Sequence, residues 1–201
     1  MKKQIILIHG GDTFGTYDEY IAFLKGFVIE DLSYFQGGES WKSSLNEKLG
    51  DGYEVIQPRM PNSLNAKYVE WKIWFEKLVP FLNDEIIFIG YSLGGIFLAK
   101  YLSEETFPKK ILGTLLVAAP FDDEGSEENL GDFALPTSIE KFGQQGGEIF
   151  IYQSTDDTIV PPANAEKYKN ALPNAHVVML NDRGHFFQKE FPEIVKDITS
   201  L

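Results

Sequence analysis

The sequence predicts an α/β fold: one domain over residues 1–201, built on a compact, mostly parallel sheet of about six strands with helices on both faces. Three observations carry this. Short runs rich in Ile and Val recur along the chain, most of them near-continuous rather than alternating, as in strands buried on both faces. Amphipathic stretches separate them, the alternation of parallel strands joined by right-handed crossovers. No repeat, low-complexity tract or linker divides the 201 residues, and a chain of this length buries roughly 70% of its unfolded surface without a disulfide or metal staple.

The strand-like runs, in order, are "KQIILIHG", "YEVIQP", "EIIFIG", "ILGTLLVAA", "EIFIYQS" and "AHVVMLN". In "NAKYVEWKIWFEKLVPFL", Tyr68, Trp71, Phe75, Leu78 and Leu82 recur at three- and four-residue steps and so share one helical face. "GGIFLAKYLSEE", "PPANAEKYKNAL" and "EFPEIVKDITSL" read as further helices. Pro161 and Pro162 stand near the start of the second of these, where a missing N–H costs little. Two connections are long. Residues 16–52 hold a helix around "DEYIAFLKGF", an aromatic piece "DLSYFQGG" and a short helix near "SWKSSLNEKLG". Residues 119–147 hold the acidic stretch "DDEGSEENLGD", and loops of such length are usually functional or mobile.

Composition excludes several function classes. A formal charge of −12 disfavours nucleic acid and anionic membrane surfaces as partners. The absence of cysteine removes disulfide scaffolds and thiolate metal sites, and agrees with a reducing compartment. The start "MKKQIILIHGG" offers a run of only four apolar residues before His9, too few for a signal-peptide core. No apolar stretch approaches the roughly 18 residues of a membrane span, and the expected location is cytoplasmic. The acids between Asp122 and Glu128 are not spaced as metal-binding loops require, so neither metal nor cofactor is expected.

The candidate nucleophile is Ser92, in "FIGYSLGGIF". An apolar strand ends and a helix begins within two or three residues, so the serine sits on a sharp turn that pushes its Oγ outward. Such a turn presses the residues on either side together, which suits the Cβ-less Gly90 and Gly94. The following helix points its positive end at the hydroxyl. A serine needs a base, and the chain has three histidines. His176 lies within a strand-like run, facing packing or solvent. His9 ends the first strand and is expected to brace the next turn. His185, in "NDRGHFF" just past the last strand, is the candidate base, with Gly184 freeing the backbone that presents it.

An imidazole in that role needs a carboxylate to fix its tautomer. "STDDTIVPP" offers Asp156 and Asp157 past another strand end. Asp157 is the choice over Asp156, though both aspartates also suit a turn or N-cap, and Asp182, close to His185 in sequence, is assigned to a turn. Open parallel sheets gather their sites at the carboxyl ends of strands, where all these residues fall. Attack on a carbonyl also needs donors for the oxyanion. One is the N–H of Leu93; the second comes from "LIHGGDTF", assigned to Gly11 with Asp12 as the alternative.

Taken together, "HGG" at 9–11, "GYSLGG" at 90–95, "AAPFDD" at 118–123, "STDDTIVP" at 154–161 and "GHF" at 184–186 resemble the α/β-hydrolase superfamily, in the order Ser, Asp, His. More narrowly, the chain is similar to the small serine hydrolases without a cap domain that are related to retinoblastoma-binding protein nine and to YdeN. That resemblance implies an α/β-hydrolase fold with no cap domain, Ser92, Asp157 and His185 as triad, and hydrolysis of small carboxylic esters, thioesters or amides by way of an acyl-enzyme. The expected partners are a small acyl substrate and water. A protein that keeps the fold only for interaction is the competing reading. The 16–52 connection is longer and more aromatic than a minimal member requires. Its Tyr20, Phe23, Phe27, Tyr34 and Phe35 are expected either to wall an acyl pocket or to pack the core. Asp122, Asp123, Glu124, Glu127 and Glu128 either screen anionic substrates at the entrance or form a solvated face.

Overall fold

A computed structural model describes residues 2–36, 38–125 and 129–201. Six strands, β1 (Lys3–Ile8), β2 (Tyr53–Ile56), β3 (Glu85–Tyr91), β4 (Lys110–Val117), β5 (Glu148–Ser154) and β6 (His176–Leu180), pair in one sheet. Their order is β2-β1-β3-β4-β5-β6, and every pairing is parallel. The continuous apolar runs have the cause expected of them. Along β1, Ile6 and Ile8 face one layer of core while Ile5 and Leu7 face the other. The strands at the two edges, β2 and β6, are only partly buried.

One face is covered by α4 (Tyr68–Leu78), α5 (Leu93–Glu104), α6 (Glu140–Gln145) and α7 (Ala163–Ala171). Trp71, Phe75 and Phe97 form the centre of this layer, ring edge against ring face. The other face is covered by α3 (Trp41–Leu49) and α8 (Pro192–Ser200), which bring Trp41, Leu45, Ile194 and Ile198 onto the sheet. The face predicted for α4 is the buried one. The helix ends at Leu78, however, so Leu82 reaches the core from beyond a short 3₁₀ turn over Val79–Phe81. Among the described residues no cap domain stands over the carboxyl edge of the sheet.

The long first connection carries α1 (Tyr17–Gly26) and α2 (Ser33–Gln36). Thr16 and Glu19 close a reciprocal capping box at the start of α1, so the helix is locally well specified. None of its residues is buried.

Candidate active site

The turn after β3 holds Ser92 at φ 53°, ψ −124°, a conformation that costs an L-residue on the order of 1–3 kcal/mol and persists only where its surroundings enforce it. Two backbone bonds do so: the Ser92 N–H donates to the Val117 carbonyl (2.9 Å), and the Gly95 N–H donates to the Ser92 carbonyl (2.8 Å). A Cβ on Gly90 would stand 2.6 Å from the Gly94 oxygen, as the expected pressing together requires. Gly94 is constrained differently. Its Cβ would fall 2.3 Å from the Ile8 carbonyl oxygen and 2.6 Å from that of His9, so the first turn of α5 is wedged against the end of β1.

His185 and Asp157 arrive from β6 and β5. The His185 Nδ1–H donates to Asp157 Oδ2 at 2.9 Å, with Oδ1 at 3.2 Å. That leaves Nε2 as acceptor, 3.0 Å from the Ser92 hydroxyl. The three side chains are therefore a continuous hydrogen-bonded line, and all three residues are buried. The Asp157 carboxylate is further saturated: Oδ1 accepts the N–H groups of Ile159 (2.9 Å) and Val160 (3.0 Å), and Oδ2 accepts Gln153 Nε2 (3.1 Å). Positive φ at Gly184 (49°) and Phe186 (57°) turns the loop so that the imidazole faces the sheet end. Phe186 is the costly member of that pair, and Trp41 Nε1 holds its carbonyl at 2.9 Å.

Further residues support the loop and escaped the sequence reading. The Tyr91 hydroxyl donates to the His185 carbonyl (2.8 Å) and its ring lies 5.3 Å from the imidazole. The Asp156 carboxylate accepts the Gly184 N–H (3.1 Å) and the Ser154 hydroxyl, while Ser154 Oγ accepts the Arg183 N–H (3.1 Å). Asp156 thus ties the histidine loop to the aspartate loop, and the Ser154 bond holds its carboxyl below the ordinary carboxylate range. The assignment of Asp182 to a turn agrees with its exposed contact to Arg183 (3.2 Å).

In the loop after β1, the His9 Nδ1–H donates to its neighbour's carbonyl at Gly10 (2.6 Å), and Nε2 accepts the Met60 N–H (2.9 Å). His9 is a brace, edge-on to Trp71. The Asp12 N–H is committed to the Ser63 carbonyl at 2.8 Å. Among the described residues no acceptor is bonded to the Gly11 N–H, and that of Leu93, first in α5, has no intrahelical acceptor.

A cleft of about 640 Å³ is lined by Gly11 and Leu93 together with Asp12, Phe14, Phe23, Pro120 and Leu130. Burial raises the Asp12 carboxyl above its ordinary value. Of the five aromatics of the first connection, Phe23 lines this cleft and Tyr20 lines a neighbouring groove with His9 and Arg59. Phe27, Tyr34 and Phe35 are exposed, so core packing does not describe them. Among the acids of the second connection, Asp122 (2.7 Å) and Glu124 (2.8 Å) are held by Lys167, and Asp123 is exposed. Glu127 and Glu128 lie outside the described residues.

The family model described as "Serine hydrolase" matches residues 35–193. The chain belongs to this family. It is 27% identical over 158 residues to the serine hydrolase RBBP9 of Rattus norvegicus, an alignment spanning 75% of this chain and 78% of that protein. In structure it is similar to the ydeN gene product of B. subtilis, with TM-score 0.76, 20% identity and coverage of 99% and 98% of the two chains. A yden-like hydrolase of Pectobacterium atrosepticum superposes with TM-score 0.63 at 16% identity, over 98% of this chain and 90% of that one. Family and fold together make this protein a hydrolase of the α/β type. No helix among the described residues is long and apolar enough to cross a membrane.

Proposed function

We propose that the protein hydrolyses small carboxylic esters through an acyl-enzyme, with Ser92 as nucleophile, His185 as general base and acid, and Asp157 as the group that orients and stabilises the imidazolium. The observation that carries this is the unbroken line from Asp157 through His185 to Ser92 Oγ, ending in a 3.0 Å contact on the carboxyl edge of the sheet. His185 takes the Ser92 proton on Nε2 as Oγ bonds to the carbonyl carbon. The resulting oxyanion is held by the N–H groups of Leu93 and Gly11, each worth about 3 kcal/mol of barrier lowering. Gly11 is preferred to Asp12 because the Asp12 N–H already serves Ser63. Collapse expels the alkoxide, which leaves as the alcohol with the proton from His185. Water then gives its proton to His185 and its oxygen to the acyl carbon, and the free acid departs as Ser92 recovers its hydrogen.

Asp157 suits the task because donors other than His185 already satisfy its remaining lone pairs, so it stays an acceptor while the imidazole charges. We also read residues 1–201 as one domain, since all six strands share one sheet. A panel of carboxylic esters, thioesters and amides tests the proposal. Esters are turned over by the wild type and not by Ser92→Ala; equal rates in the two proteins would sink it, and a folded wild type inert toward the whole panel would favour an interaction role.

A further inference from the structure

Among the described residues, the first connection holds the largest share of the apolar surface that the fold leaves uncovered. Eight of the fifteen large apolar side chains exposed among the described residues fall between Tyr17 and Phe35. The helices α3, α4, α5, α7 and α8 each bury apolar residues against the sheet, whereas α1 buries no residue at all. Exposure on this scale is what a binding surface looks like before it is covered. The rings also form a connected path. Phe14 touches Phe23 (5.0 Å between centroids), Phe23 touches Phe27 (5.4 Å), Phe27 touches Tyr34 (5.4 Å) and Tyr34 touches Phe35 (5.4 Å).

The inner end of that path is the cleft. Phe14 and Phe23 line it together with Gly11 and Leu93, the two proposed oxyanion donors. A substrate whose carbonyl oxygen sits on those donors has its carbonyl carbon at Ser92. Two directions remain open from that carbon. The leaving group must lie toward His185, which protonates it. None of His185, Phe187 and Ser92 itself lines the cleft, which adjoins the serine through its neighbour Leu93 and through Gly11. The cleft therefore belongs to the acyl side, and so does the aromatic path that continues it.

We propose that the acyl group is a medium- to long-chain alkyl group, whose first carbons lie between Phe14, Phe23 and Leu130 and whose tail runs outward over Phe27 and Phe35. This rests on the acyl-enzyme reading and names its substrate class. The net charge of −12 argues against an anionic lipid surface as the occupant and does not oppose a neutral alkyl chain. Each methylene removed from water contributes about 0.8 kcal/mol, close to fourfold in kcat/KM while the chain still gains contacts.

The test uses p-nitrophenyl esters from acetate to dodecanoate, below their aggregation concentrations, so that only the acyl group varies. Specificity should climb toward octanoate or beyond, by up to about fifteenfold per added pair of carbons. In Phe27→Ser and Phe35→Ser, both at exposed positions that leave the core intact, the ratio of dodecanoate to butanoate kcat/KM should fall about tenfold each. Phe81→Ser, at an apolar side chain 79% exposed at the end of the 3₁₀ turn Val79–Phe81, should keep the wild-type ratio. A profile that peaks at acetate or butanoate, or a ratio equal in all four proteins, overturns the proposal while Ser92 still reacts with a fluorophosphonate. Failure of that reaction overturns the acyl-enzyme reading and this inference with it. An apolar surface that instead joins two copies would show as a dimer in sedimentation, dispersed by Phe27→Ser with the chain-length profile unmoved, and this too overturns it.

Discussion

Gly94→Ala adds a single methyl at the first turn of α5, and two terms of opposite sign follow. Alanine is the better helix former by about 1 kcal/mol at most, which favours the variant. Against this, the new Cβ would stand 2.3 Å from the Ile8 carbonyl oxygen and 2.6 Å from that of His9, where ordinary contact begins at 3.4 Å. Both neighbours are backbone at the end of a strand paired on its two sides, so no side chain can swing away. The helix start and the end of β1 must part by about 1 Å, and overpacking of this kind costs roughly 1–3 kcal/mol. The steric term wins, by on the order of 1–2 kcal/mol. Catalysis should suffer more than stability, because the gap opens between the elements that carry the Leu93 and Gly11 N–H groups. A misplacement of about 1 Å is worth roughly 100-fold in rate. Urea unfolding followed by tryptophan fluorescence reads the first effect, and the second-order rate of fluorophosphonate labelling reads the second. A folded Gly94→Ala protein that labels at the wild-type rate would refute the coupling of the serine turn to β1.

Other outcomes follow from the supporting residues. Asp156→Ala frees the Gly184 N–H and the Ser154 hydroxyl, so kcat should drop while KM moves little, and Asp156→Asn, which keeps one acceptor, should recover part of the loss; equal kcat in all three proteins would remove Asp156 from the positioning of His185. Tyr91→Phe leaves the buried His185 carbonyl without its donor, at a stability cost of about 1–2 kcal/mol in urea unfolding, and a neutral result would show that the carbonyl finds another partner. Lys42 is lowered by burial from 10.5 to about 8, its ammonium resting 3.8 Å from the Tyr91 ring centroid. Between those two pH values the unfolded chain holds the proton and the native chain does not, so wild-type stability rises with pH across the window and the burial cost is constant below it. Lys42→Met should therefore be the more stable protein at pH 7, by about 1–2 kcal/mol after the opposing cation–π contact is lost, with the gain shrinking above pH 8 in thermal melts. A gain that grows with pH would mean the sign is wrong.

How much of this was legible depends on whether a feature is local. The four inner strands could be read because burial on both faces writes a continuous apolar run into the sequence, as in "IILI" and "IIFI", while the partly buried edge strands β2 and β6 show only shorter runs. The serine, histidine and aspartate stand out because strand-end chemistry needs glycine, aspartate and serine at fixed offsets. The supports do not. Trp41 meets Phe186 across 145 positions and Tyr91 meets His185 across 94, and neither contact leaves a local trace. Asp156 and Asp157 are adjacent in sequence, and only the fold separates a residue that meets the imidazole from one that clamps its loop. The short helices α2 and α6 went unread because one or two turns carry too little periodicity. For α1 the stretch "DEYIAFLKGF" reads as a helix, but apolar residues in a helix do not say what covers them.

Ser92 as a nucleophile driven by His185 is most directly tested by mass-spectrometric mapping of the adduct formed with a fluorophosphonate. The account predicts one adduct, on the peptide containing Ser92, absent from Ser92→Ala and formed about 100- to 10,000-fold more slowly in His185→Ala. A folded wild type that takes no label, a label on another residue, or an undiminished rate in His185→Ala would contradict it.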